Sequence, residues 1–363
     1  MASVTITNVW KYYGKTVAVK DLNITCNDGE FVSVLGPSGC GKSSTLRMLA
    51  GLEHISAGDI HFGETRVNDL EPKDRDIAMV FENYALYPHK TVYENMANPL
   101  RLRNESEETI KKRIAFAAEM LEIEHLLQRK PLELSGGQKQ RTAIGRAIVR
   151  EPKLFLFDEP IAHLDAKLRA RMRGELKIMQ RRLGTTMIYV THDQLEAMSM
   201  ADRIAVMNNG VLQQFGTPQE IYNHPVNEWV AGFVGEPPMN FIDCDLIEEG
   251  GSFHAVHSAF KVAVPSEQAA KLRGALKSSG VRMGIRPDQI SISLGQEGAA
   301  KGNIKITEPL GGDTLVDVDL KGAHHVLVKT DADFRGQMNE SCSLNFDTTR
   351  WHFFSKETGV AYF

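Results

Sequence analysis

Apolar and polar residues alternate through the first thirty positions, with Val4 and Ile6 and later Leu22 and Ile24 in register, so paired strands are expected there. The turn Asn27-Asp28-Gly29 then gives way to an unbroken apolar run over 31–35. A run of that length without alternation predicts a strand buried on both faces. A glycine-rich loop follows, and a helix is expected over 43–52. Between 105 and 127 the apolar residues Ile110, Ile114, Ala117, Ala118, Leu121 and Ile123 fall on one helical stripe. Glu105, Glu107 and Glu108 stand in its first turn, where the helix dipole favours acids. A second buried strand over 154–157 ends in Asp158 and Glu159, a basic amphipathic helix is expected over 166–183, a further strand over 186–190 and another helix over 193–201. Strands alternating with helices predict an α/β domain.

The pattern changes near Gly235-Glu236-Pro237-Pro238. Beyond it, short alternating runs such as 314–320 are separated by Gly250-Gly251 and Gly311-Gly312. That texture predicts a small β-barrel or sandwich. The expected boundaries are therefore 1–235 and 236–363.

Length agrees with two domains, since 363 residues exceed one ordinary core. Hydrophobic content of 42% and charged content of 24% are those of a soluble globular protein. The net charge of −4 supplies no bulk argument for nucleic-acid binding, and no such partner is expected. Cys26, Cys40, Cys244 and Cys342 are widely spaced, which suits a reducing compartment better than a zinc site or a disulfide scaffold. The amino-terminal residues do not read as a signal peptide, and no apolar run is long enough to span a bilayer. Any membrane role is expected to come through a partner.

The first chemical signal is Gly36-Pro37-Ser38-Gly39-Cys40-Gly41-Lys42-Ser43, which fits G-x-x-x-x-G-K-[ST] between an expected strand and an expected helix. Glycines there let backbone N–H groups turn toward phosphate oxygens, and the helix start adds positive potential. Lys42 is expected to bridge the β- and γ-phosphates, with the Ser43 hydroxyl on Mg²⁺. Asp158, at the end of an apolar strand, suits a second Mg²⁺ ligand, and Glu159 stands where it could polarise a water. Together these predict an ATP or GTP site. Leu134-Ser135-Gly136-Gly137-Gln138 adds a hydroxyl and bare amides before a helix, which in isolation is an ordinary cap.

In combination the three segments resemble the signature of ABC-family ATPases, in order and spacing, over residues 1 to about 235. The resemblance implies an α/β P-loop ATPase domain with an inserted helical subdomain at about 84–152. It places ATP against Tyr13 and the loop Gly36, Pro37, Ser38, Gly39, Cys40, Gly41, Lys42, Ser43 and Ser44. It makes Glu159 the general base and His192 a contact to the γ-phosphate. Ser135, Gly136, Gly137, Gln138 and Asp165 are then across-dimer contacts to a second ATP, and Ser43, Glu82 and Asp158 the Mg²⁺ ligands. Two positions depart from the family pattern: Glu82 replaces a glutamine and His163 an asparagine. A carboxylate at 82 keeps an oxygen ligand and loses an amide donor, and it is expected to bind Mg²⁺ in the closed dimer.

The segments 46–52, 84–89, 218–225 and 284–287 narrow the resemblance to ATPase subunits of bacterial carbohydrate importers of the maltose and glycerol-phosphate type. That implies an OB-fold-like C-terminal barrel for dimer contacts or regulation, by a protein or a small effector. It also implies a homodimer, two transmembrane permease subunits, a periplasmic solute-binding protein acting indirectly, and a peripheral location on the cytoplasmic face of the plasma membrane. Tyr84, Leu86 and Tyr87 lie where a permease would dock, or else belong to the helical subdomain's core. Importers of polyamine, sulfate, phosphate or iron, and a non-transport ATPase acting on ribosomes or DNA, remain as alternatives. The solute itself is not encoded here.

Overall fold

A computed structural model describes residues 2–275, 280–295, 297–320 and 324–363. The chain divides into two compact units, 1–218 and 219–363.

The first unit holds a six-stranded sheet ordered Val211–Gly216, Arg203–Asn208, Phe31–Leu35, Thr186–Thr191, Leu154–Asp158, Ile77–Val80. The last five of these run parallel, and the hairpin strand Val211–Gly216 pairs antiparallel with Arg203–Asn208. All five residues of Phe31–Leu35 are buried, as the unbroken apolar run requires. A four-stranded antiparallel sheet contains Val4–Tyr13 and Thr16–Cys26. Val4, Ile6, Val9 and Leu22 from it share one apolar core with Val32, Val34, Leu156 and Ile188 of the parallel sheet. Parallel strands place their loops at the carboxyl ends, and that is where the chemistry lies.

The helix expected over 105–127 is shorter, Glu107–Met120. Leu121, Ile123 and Leu126 continue the apolar pattern and are buried, but Glu122 takes a left-handed φ of 56°. That turn redirects the chain into a 3-10 turn, Glu124–Leu126, so the same residues reach the core from a different backbone. Capping sets the other helices. Thr91 forms a capping box with Glu94 for Val92–Arg101. Asp165 caps Ala166–Leu183, which ends at Gly184 with φ 62°.

In the second unit ten antiparallel strands among the described residues surround one apolar core. Trp351, Phe353, Val281, Met283 and Leu344 lie in it. The unit is not purely β: a helix, Ser266–Ala275, follows Pro265 and buries Gln268, Ala269 and Leu272 at helical spacing. Arg286 is 1% exposed. Its guanidinium donates to the carbonyls of Val234 at 2.7 Å and Tyr222 at 2.6 Å and lies over the Tyr222 ring, which fixes the helix-to-barrel connection. Among the described residues no helix is long and apolar enough to cross a membrane.

Candidate nucleotide site

The loop after Phe31–Leu35 is glycine-rich for steric reasons that differ by position. A Cβ on Gly36 would lie 2.3 Å from the Met207 carbonyl oxygen, and one on Gly41 2.4 Å from that of Ala18. Gly41 also has φ of 101° and starts the helix Lys42–Ala50 without a side-chain cap. The first N–H groups of that helix are left to an external acceptor, and the macrodipole favours an anion. Lys42 is buried, and its ammonium donates to the Gly36 and Pro37 carbonyls at 2.9 and 3.0 Å. Among the described residues no carboxylate pairs with it. A buried cation held only by carbonyls is completed by an anion. Cys40 is buried in the same loop, and burial pushes its thiol up.

Ser43 Oγ donates to Asp158 Oδ1 at 3.3 Å, at the end of Leu154–Asp158, which is separated from Phe31–Leu35 by the strand Thr186–Thr191. Burial raises the Asp158 carboxyl above the usual carboxylate range, the Ser43 hydrogen bond opposes this, and the nearby Glu159 and Glu82 charges add to the rise. A hydroxyl with carboxylates at one spot is a hard oxygen set of the kind Mg²⁺ takes, and a cation there would relieve their repulsion. Among the described residues no three acidic, histidine or cysteine side chains form a cage of their own.

Glu159 has a left-handed φ of 45°, and its N–H donates to the Val190 carbonyl at 3.0 Å. This backbone turn aims its carboxylate back toward the strand Thr186–Thr191, where Oε2 lies 2.7 Å from His192 Nδ1. The turn carrying His192 is fixed on both sides. Thr191 Oγ1 accepts from the Asp193 N–H at 3.0 Å and donates to Glu196 at 2.8 Å. Asp193 caps Gln194–Met200 and pairs with Arg169 at 3.4 Å. The same Arg169 donates to the carbonyls of Ala162 and Leu164, so it ties the 159–165 loop to the His192 turn. Glu196, Tyr189 and Thr191 are buried together, and burial raises the Glu196 carboxyl.

The remaining expected residues fall in separate places. Ser135 Oγ accepts from the Gln138 N–H and Gln138 Oε1 from the Ser135 N–H, a capping box for Gly136–Ile148. Asp165 accepts from the Leu168 N–H at 3.0 Å. Tyr13 is 45% exposed. Its hydroxyl donates to Glu53 and lies 3.3 Å from Ser44 Oγ, so the ring stands at the edge of the phosphate loop. Glu82 faces His163. Of the aromatic loop, Tyr87 is exposed while Tyr84 and Leu86 are half-buried.

Several supporting residues were missed in the sequence. Arg146 donates to the carbonyls of Tyr84 and Ala85, which both have left-handed φ, 62° and 46°. Asn95 is fully buried and bonds Tyr87, Lys90 and Thr91 backbone atoms. Glu53 and Arg169 were also overlooked. The one available signal was a polar or charged residue inside an apolar helical stretch, as with Arg146 between Ile144 and Ile148.

Known proteins resemble this chain over its whole length. Residues 19–162 match the ABC transporter family, 235–290 the MalK OB fold domain and 283–354 the TOBE domain. The chain is 48% identical to the trehalose/maltose import ATP-binding protein of Thermococcus litoralis, over 100% of both chains. It is 46% identical to the sn-glycerol-3-phosphate import ATP-binding protein of Cupriavidus metallidurans, over 99% of this chain and 98% of that one. The sulfoquinovosyl glycerol transport ATP-binding protein of Agrobacterium fabrum is also 46% identical, over 99% of each. Among solved structures, a dimeric ATP-binding cassette in a post-hydrolysis state with ADP and phosphate matches with a TM-score of 0.54 and 33% identity, covering 59% of this chain and 98% of that one.

Proposed function

The chain belongs to the ATP-binding subunits of ABC transporters, of the kind that carries MalK OB and TOBE domains, and on that footing we propose that it hydrolyses ATP to power a binding-protein-dependent importer for a sugar or sugar derivative. The observation that carries this reading is the convergence of a buried, carboxylate-free Lys42 with the Ser43–Asp158 and Glu159–His192 pairs at the carboxyl ends of one sheet.

In this reading Lys42 and the loop amides of Gly36–Ser44 hold the β- and γ-phosphates. Ser43, Asp158 and Glu82 hold Mg²⁺, which when bound spreads charge off the phosphate oxygens. Glu159 orients the attacking water and accepts its proton, a role typically worth about 10²–10⁴-fold in rate. His192 keeps the Glu159 carboxylate in place and reaches the γ-phosphate. Tyr13 offers its ring to adenine from the rim of the loop.

Ser135, Gly136, Gly137, Gln138 and Asp165 face the nucleotide of a second ATPase subunit. Supporting this, a Cβ at Gly136 would come no nearer than 3.3 Å to Leu164 Cδ2 and 3.8 Å to the Tyr84 hydroxyl, while one at Gly137 would lie 2.6 Å from Leu168 Cδ2 and require that side chain to shift. Neither glycine has positive φ, so the backbone conformation alone does not require glycine at either position. The chain's own fold therefore gives no reason for a glycine at 136, whereas a phosphate approaching bare amides does.

The ATPase domain extends to about residue 235 with its helical part near 84–152, and 236–363 serves dimer contacts and regulation. Two permease subunits dock near the 84–95 segment, which places the subunit peripherally on the cytoplasmic face of the plasma membrane. Assembly with two polytopic membrane proteins and a solute-binding protein in vesicles, with ATP-dependent uptake of maltose, trehalose or glycerol 3-phosphate, tests the proposal. Uptake of sulfate or a polyamine instead would move the solute class. Sedimentation with ribosomes or DNA and no membrane assembly would overturn it.

A further inference from the structure

The two positions that depart from the family pattern touch each other. His163 Nε2 lies 3.2 Å from Glu82 Oε1. Both side chains are more than half exposed in the single chain, 60% and 51%, so neither is forced into the contact by packing. Glu82 follows the edge strand Ile77–Val80, while His163 sits in the 159–165 loop between the Leu154–Asp158 strand and the helix capped by Asp165. Arg169 anchors that loop through the Ala162 and Leu164 carbonyls on either side of His163. The imidazole is thus presented from a fixed backbone toward the end of the neighbouring strand.

Resting on the nucleotide-site reading above, we propose that His163 is the positioning residue for Glu82 and that the two replacements form one matched unit setting the strength of divalent-cation binding at this site. A carboxylate has two equivalent oxygens. His163 Nε2–H donates to Oε1, and among the described residues Oε2 has no protein partner, so it is the oxygen left for a cation. Carboxylate ligands are commonly held by such an outer hydrogen bond, and loss of the holder typically weakens metal binding about 10–100-fold. A glutamine at 82 would present one oxygen and one NH₂: with the oxygen on the Nε2–H of His163 no oxygen is left for a cation, and with the NH₂ there the ring must carry its proton on Nδ1 instead. An asparagine at 163 offers a shorter side chain with both an amide donor and an acceptor, which suits a glutamine amide better than a carboxylate. The two residues present in this chain therefore suit each other.

The test is a double-mutant cycle in the full chain: wild type, Glu82→Gln, His163→Asn and the pair. Mn²⁺ binding in the presence of a non-hydrolysable ATP analogue is read by electron paramagnetic resonance, and melting temperature is measured alongside. We expect each single variant to lose Mn²⁺ affinity by about 10-fold or more, and the pair to recover to within about 3-fold of wild type. Independent, multiplicative losses would overturn the coupling, as would an unchanged affinity in His163→Asn. Both positions are exposed, so melting temperatures are expected to stay level; a His163→Asn loss of affinity that tracks a fall in melting temperature would also overturn it. Wild type binding no Mn²⁺ with the nucleotide would instead remove the nucleotide-site reading on which the pair depends.

Discussion

His192 Nδ1 lies 2.7 Å from Glu159 Oε2, and this contact joins the ends of two adjacent parallel strands at the centre of the sheet. Glu159 is mostly covered while His192 is more than half exposed, so the pair has a fixed side and an open side. Glu159→Gln keeps the size and the contact but removes the proton acceptor. Turnover should fall about 10²–10⁴-fold with ATP binding retained. His192→Ala should lower turnover while the melting temperature holds, because the turn is secured by Thr191, Asp193 and Glu196 rather than by the imidazole. Steady-state phosphate release with parallel nucleotide binding measures both, and full activity in Glu159→Gln would remove it as the base.

Gly137→Ala separates the demands of the fold from those of the partner subunit. Within the chain the new methyl would press on the end of Leu168, which is only half-buried and can move. The isolated chain should stay folded, with half-buried Leu168 shifting to make room, while ATP-dependent dimerisation and hydrolysis collapse. Light scattering with and without ATP reads the first effect, and unchanged dimerisation would place the segment away from the partner's nucleotide.

Much of this site was readable in the sequence because it rests on local rules. The helix Ala166–Leu183 coincides with its expected bounds because Asp165 and Gly184 mark both ends. The strand ends carrying Gly36 and Asp158 follow from unbroken apolar runs. What stayed hidden depends on long-range geometry. Nothing local announces the left-handed turn at Glu122, because Leu121, Ile123 and Leu126 keep an apolar spacing compatible with one longer helix. Glu82 and His163 each stood out alone, but their contact is made by strand order. The helix Ser266–Ala275 lies among short β runs whose texture masked it.

Arg146 is the residue on which the shape of the aromatic loop depends. Burial lowers its guanidinium pKa, and it still donates to both Tyr84 and Ala85 carbonyls while lying near the Tyr87 ring. Two consecutive non-glycine residues in the left-handed region need such a hold. Arg146→Ala removes two donors, one of them from the solvent-exposed Ala85 carbonyl, and should cost about 1 kcal/mol. Arg146→Lys keeps the charge but has no fork to reach both oxygens. In assembled transporter both variants should lose uptake more than the basal hydrolysis of the isolated subunit. Equal losses in the two assays would argue that the loop serves folding rather than docking.

The C-terminal unit should carry a distinct acid sensitivity through His352. Burial lowers its pKa to about 4, with Arg286 and His224 adding to the effect, and its ring stacks on Phe354. The folded state therefore resists protonation that the unfolded chain accepts near pH 6.5. Above that pH neither state binds the proton, and the full stability is present. As pH falls from about 6.5 toward 4 the unfolded state alone gains it, so stability drops, by about 2 kcal/mol at pH 5. Below about 4 both states are protonated and the loss stops growing. His352→Phe preserves the stacking partner and removes the titration. Urea unfolding at pH 7 and pH 5 should give a smaller decrease in the variant than in wild type, by about that 2 kcal/mol. Equal decreases would mean that His352 is protonated as readily in the folded unit as in the open chain, and that its burial beside Arg286 does not govern the acid response.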